Sequence, residues 1–324
     1  MYTFKEILSQ VESYVTQLEF NTPPKTLFEP IEYILSLGGK RVRPALTLMA
    51  CNVFTDQVEK ALAPAVGIEV FHNFTLLHDD LMDCADVRRG KETVHVRWNP
   101  NVAILSGDAM LIESYKLLSN APAECLKEVL DLFSTTATEV CAGQQFDMEF
   151  ELRANVTEDE YLEMIRLKTA VLLACALKTG AIIGGASQQD ASLLYDFGIN
   201  IGLAFQLQDD LLDVYGDPKV FGKSIGGDIC SNKKTYMLIN ALNKASDTDR
   251  MHMNEWFSFK TFDKKEKIEF FTYIYDTYGI RKMAERKVAQ YFDAAMLCLE
   301  KISVPSDNLI ALRELAQMLM GRKS

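Results

Sequence analysis

Hydrophobic positions recur at intervals of three and four residues through most of the chain, which is the spacing of one face of an α-helix. Val66, Val70 and Phe74 show this pattern. No proline interrupts the chain from Ala65 to Asn99 or from Ala123 to Asp217, so long helices can form there. Alternating runs typical of strands are scarce. The pattern predicts a nearly all-α chain whose long helices pack as a large bundle.

Four segments that contain glycine or proline are expected to separate the helices: GGKRVRP at 38–44, RRGKETVH at 88–95, WNPN at 98–101 and YGDPKVFGKSIGG at 215–227. One helix is expected to start near Pro44. The polar, weakly patterned stretch from Lys244 to Lys267 predicts a surface excursion. No low-complexity linker and no repeat divides the chain, so residues 1–324 are expected to form a single domain.

Composition narrows the class of protein. The chain has 324 residues, of which 48% are hydrophobic, and a formal charge of −11. This acidic balance argues against nucleic acid as a partner, because phosphate binding needs a basic face. The longest apolar run, TAVLLACALKTGAIIGGA, contains Lys178 and ends in glycines. It therefore predicts a core helix rather than an integral membrane segment.

The cysteines indicate a compartment. The seven cysteines are odd in number, widely spaced and never form a C-x-x-C pair, which is typical of a reducing environment. The N-terminus, MYTFKEILSQ, lacks the basic and apolar regions of a signal peptide. We therefore expect a cytoplasmic location.

Two similar acidic motifs stand out, LHDDLMD at 77–83 and LQDDLLD at 207–213. Like charges on one helical turn repel each other, so a cation is expected nearby. Mg²⁺ prefers oxygen ligands and often completes its shell with phosphate oxygens. A solvated acidic surface is the alternative, but both motifs lie inside apolar runs. The aspartates that share a helix face are Asp79 with Asp83 and Asp209 with Asp213, while Asp80 and Asp210 flank those faces.

Basic residues lie close to these motifs in the sequence. Lys40, Arg41 and Arg43 fall on a glycine-hinged turn before a helix, a setting that suits anion binding. Arg88 and Arg89 follow the first motif. Further on, Lys223 lies in the glycine-rich FGKSIGGD, a loop that could close over a ligand.

The order of the motifs then becomes informative. GGKRVRP, LLHDDLMD with RRG, GQQFD, LKTA, FQLQDDLLD and FGKSIGGD follow one another, and in this order they resemble the trans-isoprenyl diphosphate synthases of the polyprenyl synthetase family. The resemblance covers about residues 35 to 240. It implies an all-α bundle around a deep central cavity, with the two acidic motifs facing each other across its mouth. It also implies a homodimer.

The same resemblance implies a reaction. Isopentenyl diphosphate would condense head to tail with an allylic diphosphate, and diphosphate would leave. About three Mg²⁺ ions would act as Lewis acids on the leaving group, with no nucleophilic side chain. Their ligands would be Asp79, Asp83, Asp209 and Asp213, with Asp80 and Asp210 also counted as catalytic.

The resemblance also assigns substrate residues. Lys40, Arg43, His72 and Arg89 would hold isopentenyl diphosphate. Arg88, Lys168, Lys223 and Lys233 would contact the allylic diphosphate. Thr169 and Gln206 would stabilise the allylic cation through their dipoles.

Phe74 is expected to set product length. It lies five residues before Asp79, about 7 to 8 Å along the helix axis. An ordinary core aromatic is the alternative for this residue. One aromatic at this position, followed by Thr75, resembles synthases that make geranylgeranyl diphosphate; farnesyl diphosphate is the next expectation, and a longer polyprenyl product is the remaining alternative.

Three other functions remain open at this point. A class I terpene cyclase also uses DDxxD, although it would lack the GGKRVRP anchor. His78-Asp79 is an HD dipeptide, as in metal-dependent HD phosphohydrolases, but the sequence has only four histidines. A catalytically silent partner subunit is the third alternative, and the intact motifs argue against it. No role follows from the sequence for Gln144, Asp147 or His78.

Overall fold

A computed structural model describes residues 2–217 and 225–321, and within them the all-α prediction is confirmed. The helices are α1 (Phe4–Thr16), α2 (Lys25–Ser36), α3 (Val42–Phe54), α4 (Leu62–Met82), α5 (Val94–Arg97), α6 (Pro100–Leu118), α7 (Leu126–Leu152), α8 (Glu158–Ile165), α9 (Val171–Ile183), α10 (Gln188–Tyr215), α11 (Gly227–Cys230), α12 (Tyr236–Lys244), α13 (Asp247–Ser258), α14 (Lys264–Thr277), α15 (Ile280–Glu300) and α16 (Ile310–Met320). Short 3₁₀ turns precede α4 (Val58–Ala61) and α16 (Ser306–Leu309), and a π turn (Arg166–Ala170) joins α8 to α9.

A small hairpin follows α4. Strands β1 (Val87–Arg88) and β2 (Lys91–Glu92) pair antiparallel, with Arg88 opposite Lys91. Arg89 and Gly90 form the two-residue turn, with φ of 53° and 75°. Positive φ at both turn positions is typical of a type I′ turn, which matches the twist of a two-stranded ribbon. The predicted break at 88–95 is thus a hairpin.

Other predicted breaks have clear local causes. Gly38, Gly39 and Arg41 all have positive φ, so the chain reverses there before α3. The helix begins at Val42, two residues earlier than expected, with Pro44 in its first turn. In WNPN, the Asn99 side chain accepts a hydrogen bond from the Val102 amide, and Pro100 opens α6 where no amide donor is needed.

The structure divides into two compact units. The first comprises the described residues of Met1–Thr135, Cys175–Tyr195 and Ile302–Leu312. Its α4 packs most closely on α6, because Gly67 leaves room at the crossing: a Cβ there would meet the Ser114 carbonyl at 3.0 Å. The Ser114 hydroxyl donates to the Gly67 carbonyl at 2.7 Å. This packing fixes the helix that carries the first acidic motif.

The second unit comprises the described residues of Thr136–Ala174, Asp196–Lys301 and Arg313–Ser324. Its core includes Tyr161, Leu207 and Tyr275. Most of the stretch from Lys244 to Lys267 is exposed, in agreement with the expected surface excursion, but parts of it are helical or buried. It contains α13, Met253 is fully buried, and the buried Lys267 ammonium lies 4.3 Å from the Phe262 ring centroid. The aromatic residues of this stretch are irregularly spaced, so the periodicity of hydrophobic positions does not reveal which residues are buried.

No helix in the described residues is long and apolar enough to cross a membrane. All seven cysteines lie in the described part of the chain, and none of them forms a disulfide.

Candidate active site

The first acidic motif lies at the C-terminal end of α4. Asp80 is buried, with 3% of its surface exposed, while Asp79 is half-buried and Asp83 is exposed. Arg88 Nε lies 2.8 Å from both carboxylate oxygens of Asp80, and its Nη2 lies 2.7 Å from Asp80 Oδ1. The same Nη2 lies 3.9 Å from Asp79. Asp80 therefore anchors Arg88, and Asp79 and Asp83 are the more accessible carboxylates of this motif.

The hairpin positions both arginines that follow this motif. Arg88 ends β1 and reaches back to Asp80, while Arg89 takes the first position of the turn. The Arg89 guanidinium lies beside Gly39, where an added Cβ would come within 2.8 Å of its Nη2. Gly39 is therefore needed both for its φ of 147° and for its lack of a side chain.

A second group forms where α3 begins. Arg43 Nη1 donates to His72 Nε2 at 3.1 Å. Burial, and then the charges of Arg43, Arg89, Arg88 and Arg41, lower the pKa of His72 well below its usual range. Burial also lowers the pKa of Arg43 to about 10. The Nε atom of Arg43 is buried without a hydrogen-bond partner in the described structure. A buried positive group of this kind suits an anion such as diphosphate.

The remaining basic residues of GGKRVRP have different roles. Arg41 is buried and donates to Glu69 at 2.8 Å and to the Leu35 carbonyl at 2.7 Å. It supports the turn from inside the unit, because its left-handed backbone (φ 44°) directs it inward. Lys40 stays exposed on the same turn.

Phe74 lies one to two turns before the first motif, and it is 9% exposed. Its ring centroid lies 5.5 Å from Phe71 and 4.8 Å from His78. His78 fills the space over Gly107, where a Cβ would lie 2.2 Å from its Nε2, and that atom lies 3.2 Å from the Ile104 carbonyl. His78 thus packs α4 on α6 beside Phe74, which gives it a structural role that the sequence did not reveal.

The second acidic motif lines a cavity of about 170 Å³ in the second unit. Two of the four residues expected to contact the allylic diphosphate, Lys168 and Lys233, are there. The lining residues are Asp147, Tyr161, Met164, Ile165, Lys168, Thr169, Gln206, Asp209, Asp210, Asp213, Asp228 and Lys233. Of the other two expected contacts, Arg88 belongs to the first unit, and Lys223 lies outside the described residues.

Two of the residues that line the cavity lie in a π turn. Lys168 and Thr169 lie within Arg166–Ala170, where the helical hydrogen bonding widens between α8 and α9. The Thr169 hydroxyl donates to Gln206 Oε1 at 3.3 Å, and Gln206 Nε2 donates to Asp210 Oδ1 at 3.4 Å. This chain of hydrogen bonds fixes the Gln206 amide at the cavity wall.

The middle aspartate of the second motif is also held by the protein. The buried Tyr161 hydroxyl donates to Asp210 Oδ2. Burial, and then the charge of Asp228, raise the pKa of Asp210 to about 7. Asp213 is 8% exposed, and its Oδ2 accepts a hydrogen bond from the Asp228 amide at 3.0 Å. Asp209 is half-buried and lines the cavity, so it is more accessible than the buried Asp210 and Asp213.

The donor set fits Mg²⁺. Carboxylate oxygens are its preferred protein ligands, and one or two of them commonly suffice when phosphate and water complete the shell. In the described residues, no three His, Cys, Asp or Glu side chains are grouped so as to hold a metal ion.

Two polar lining residues, Tyr161 and Asp228, were missed by sequence reasoning. Tyr161 gave no signal, because it lies 49 positions from its partner Asp210. Asp228 stood in the quoted FGKSIGGD, where it could have been noted as a further carboxylate.

Comparison with known proteins agrees with these features. An all-α chain with two DDxxD motifs, clustered basic groups and a cavity lined by lysines has parts that suit a diphosphate-handling enzyme. The family model for polyprenyl synthetase matches residues 24–274, and the chain belongs to that family. It is a short-chain trans-prenyltransferase with the all-α isoprenoid synthase fold. Its substrates are isoprenyl diphosphates.

Individual relatives are similar over most of their length. The chain is 43% identical over 244 residues to a geranylgeranyl diphosphate synthase of Methanosarcina mazei, covering 74% of this chain and 75% of that protein. A solved structure of a geranylgeranyl pyrophosphate synthase matches with a TM-score of 0.95 and 43% identity, with full coverage of both chains. A geranylgeranyl pyrophosphate synthase of Corynebacterium glutamicum, complexed with isoprenyl diphosphate and magnesium, matches with a TM-score of 0.84 and 28% identity, covering 99% and 97%.

Family membership argues against the terpene cyclase and the HD phosphohydrolase. The structure adds that His78 lies against the Ile104 carbonyl, in a packing role.

Proposed function

We propose that the chain condenses isopentenyl diphosphate head to tail with an allylic diphosphate, in a Mg²⁺-dependent reaction whose main product is geranylgeranyl diphosphate. The observation that carries this proposal is the cavity of the second unit, where Asp209, Lys168 and Lys233 share a wall with Thr169 and Gln206. Carboxylates suit metal ions, lysines suit phosphate oxygens, and neutral dipoles suit a cation. Few reactions need all three at one site.

Ionisation of the allylic substrate is the first step. Lys168 and Lys233 at the cavity would bind the diphosphate, and family resemblance alone adds Arg88 and Lys223. Asp79, Asp83 and Asp209, with a smaller contribution from Asp213, would hold about three Mg²⁺ ions. When bound, these ions supply Lewis-acid stabilisation of the negative charge that develops on the leaving diphosphate.

The allylic cation needs stabilisation without covalent capture. The Thr169 hydroxyl and the Gln206 amide hydrogen-bond each other at 3.3 Å, and this bond would hold both neutral dipoles in place beside the cation. Asp80 and Asp210 would act indirectly, since Asp80 orients Arg88 and Asp210 orients Gln206.

Isopentenyl diphosphate is assigned to the first unit. Arg43, His72 and Arg89, with Lys40 on the adjoining turn, would hold its diphosphate. The buried Arg43 Nε supports this assignment, because a phosphate oxygen would supply the hydrogen bond that it lacks in the described structure. The released diphosphate would accept the final proton.

Product length, assembly and location complete the proposal. Phe74 would limit the product to about four isoprene units by blocking the path of the growing chain. A homodimer is supported by exposed Ile104, Leu105 and Ile112 on α6, which are 44%, 59% and 60% exposed. We also infer that residues 1–324 act as one polyprenyl synthetase domain in the cytoplasm.

The decisive experiment is incubation of purified protein with isopentenyl diphosphate, each short allylic diphosphate and Mg²⁺, followed by chromatography of the dephosphorylated products. Geranylgeraniol is the expected main product, and chelation of Mg²⁺ should abolish its formation. A cyclic hydrocarbon, or hydrolysis without chain growth, would refute the proposal. Farnesol would leave the reaction class intact and correct the assigned length.

A further inference from the structure

Asp147 of the GQQFD segment has two lysine neighbours at the cavity. Its Oδ2 lies 2.6 Å from Lys168 Nζ and 3.7 Å from Lys233 Nζ. The Asp147 side chain is 13% exposed, and the lysine side chains are 24% and 41% exposed. Burial alone would raise the pKa of Asp147, but Lys233 and Lys168 outweigh it and hold the pKa below its ordinary value. The carboxylate is therefore charged between two ammonium groups.

The backbone around Lys168 is fixed by two glycines. A Cβ on Gly143 would lie 2.3 Å from the Lys168 amide nitrogen, and a Cβ on Gly202 would lie 2.6 Å from Ala170 Cα. The π turn is therefore in close backbone contact with α7 at Gly143 and with α10 at Gly202. Neither contact could form with a larger residue without a shift of the backbone.

Each glycine is followed four residues later by a polar side chain that binds the π turn. Asp147 follows Gly143 and binds Lys168, while Gln206 follows Gly202 and binds Thr169. Because residues four apart share a helix face, each helix supplies a contact point and a hydrogen-bonding group on the same side. The π turn is thus held at both of its functional side chains.

We propose that Asp147 is a positioning residue for the allylic diphosphate, which holds the Lys168 and Lys233 ammonium groups side by side at the cavity before the ligand binds. Without the carboxylate, the two like charges would repel each other and each long side chain would sample other rotamers. The inference rests on the proposed function in taking a diphosphate as the ligand of this cavity.

The proposal can be tested by the direction in which loss of the Asp147 charge changes the affinity for diphosphate. Asp147 carries a negative charge beside the proposed site of an anion, so a simple electrostatic view predicts that removing the charge would strengthen diphosphate binding. A positioning role predicts the opposite. Asp147→Asn keeps the size of the side chain and removes only the charge, so it separates the two views.

The experiment is calorimetric titration of the full chain with inorganic diphosphate in the presence of Mg²⁺. Asp147→Asn should weaken binding about tenfold, equivalent to about 1.4 kcal/mol. The matched control is Glu163→Gln, which removes a carboxylate bound at 2.8 Å to Arg166, another residue of the π turn, but one that does not line the cavity. The control should bind diphosphate like the wild type. Unchanged or tighter binding by Asp147→Asn would overturn the proposal.

A double-mutant cycle tests whether Asp147 affects diphosphate binding through the lysines. If Asp147 acts through the lysines, then Asp147→Asn should cost clearly less in a Lys168→Met background than in the wild type, because one of the ordered groups is already absent. Fully additive losses would show that Asp147 acts in some other way and would overturn the proposal. Should Asp147→Asn fail to fold, Asp147→Ser serves in the same titrations with the same expected loss.

Kinetics distinguish this inference from the proposed function. In active enzyme, Asp147→Asn should raise the KM for the allylic substrate about tenfold and leave that for isopentenyl diphosphate within about twofold. The titration needs no turnover. If the wild type failed to transfer prenyl groups yet bound diphosphate in an Asp147-dependent way, the proposed function would fail and the inference would stand. Normal turnover with normal diphosphate binding in the variant would reject the inference alone.

Discussion

Arg43 Nη1 donates a hydrogen bond to His72 Nε2 at 3.1 Å, so this nitrogen of His72 carries no proton. A guanidinium has no acceptor atom, which makes the direction of the bond unambiguous. Burial and the surrounding arginines lower the pKa of His72. The imidazole is therefore neutral in the ligand-free protein, and protonating it would place two positive groups in contact.

The first prediction concerns acid stability. The unfolded chain binds a proton at His72 near pH 6.5, whereas the folded chain binds it only at a much lower pH. The free energy of unfolding should therefore fall as pH decreases below about 6.5, by up to about 1.4 kcal/mol per pH unit from this one group. His72→Gln should lose less stability than the wild type between about pH 6.5 and 5, measured by urea denaturation without ligand.

The control for this experiment is His252→Gln. His252 is exposed on α13, so its removal should leave the pH dependence of the wild type unchanged. Identical pH dependence in His72→Gln and the wild type would contradict a neutral His72 in the folded protein.

The second prediction is that catalysis needs both acidic motifs. Asp79→Ala or Asp209→Ala should each lower turnover by about 10³-fold or more, because each removes a ligand of the proposed Mg²⁺ ions. Folding should survive, since deleting one of several crowded carboxylates relieves repulsion. Steady-state turnover and circular dichroism measure the two effects. Asp293→Ala, at an exposed position of α15, is the control, and near-normal turnover in either motif variant would exclude the metal assignment.

The third prediction separates the two diphosphate sites. Arg43→Ala should raise the KM for isopentenyl diphosphate about tenfold with little change for the allylic substrate, and Lys233→Ala should do the reverse. The physical reason is that Arg43 bonds to His72 in the first unit, whereas Lys233 lines the cavity of the second. Arg43→Ala and Lys233→Ala each serve as the control for the other. Equal changes in both KM values would mean that the two sites are wrongly assigned.

Local sequence patterns predicted which residues of the candidate site lie near one another. Helical periodicity placed Asp79 and Asp83 on one face, and motif order grouped Lys168, Thr169 and Gln206 with the second acidic motif. The cavity brings the latter group together. These groupings could be predicted because spacing within one helix, and family motifs, carry their own geometry, and the roles assigned to the residues stay predictions.

Contacts distant in sequence could not be predicted in the same way. Nothing in the sequence pairs Tyr161 with Asp210, since packing of separate helices creates that hydrogen bond. The π turn leaves no signature in RLKTA, because it depends on the close approach allowed by Gly143 and Gly202. Arg41 looked equivalent to Arg43, yet its left-handed backbone directs it into the core of the unit.

The last prediction concerns product length. Phe74 is 9% exposed and packs between Phe71 and His78 on the helix that carries the first motif. Phe74→Ala removes a ring from the proposed path of the growing chain, so products should lengthen beyond about four isoprene units, by chromatography of the dephosphorylated alcohols. The truncation also costs about 3 to 5 kcal/mol of stability, so Phe197→Ala, at a position 1% exposed, controls for destabilisation and should leave product length unchanged. Wild-type products of about seven units, or an unchanged distribution in Phe74→Ala, would assign the limit to a different residue.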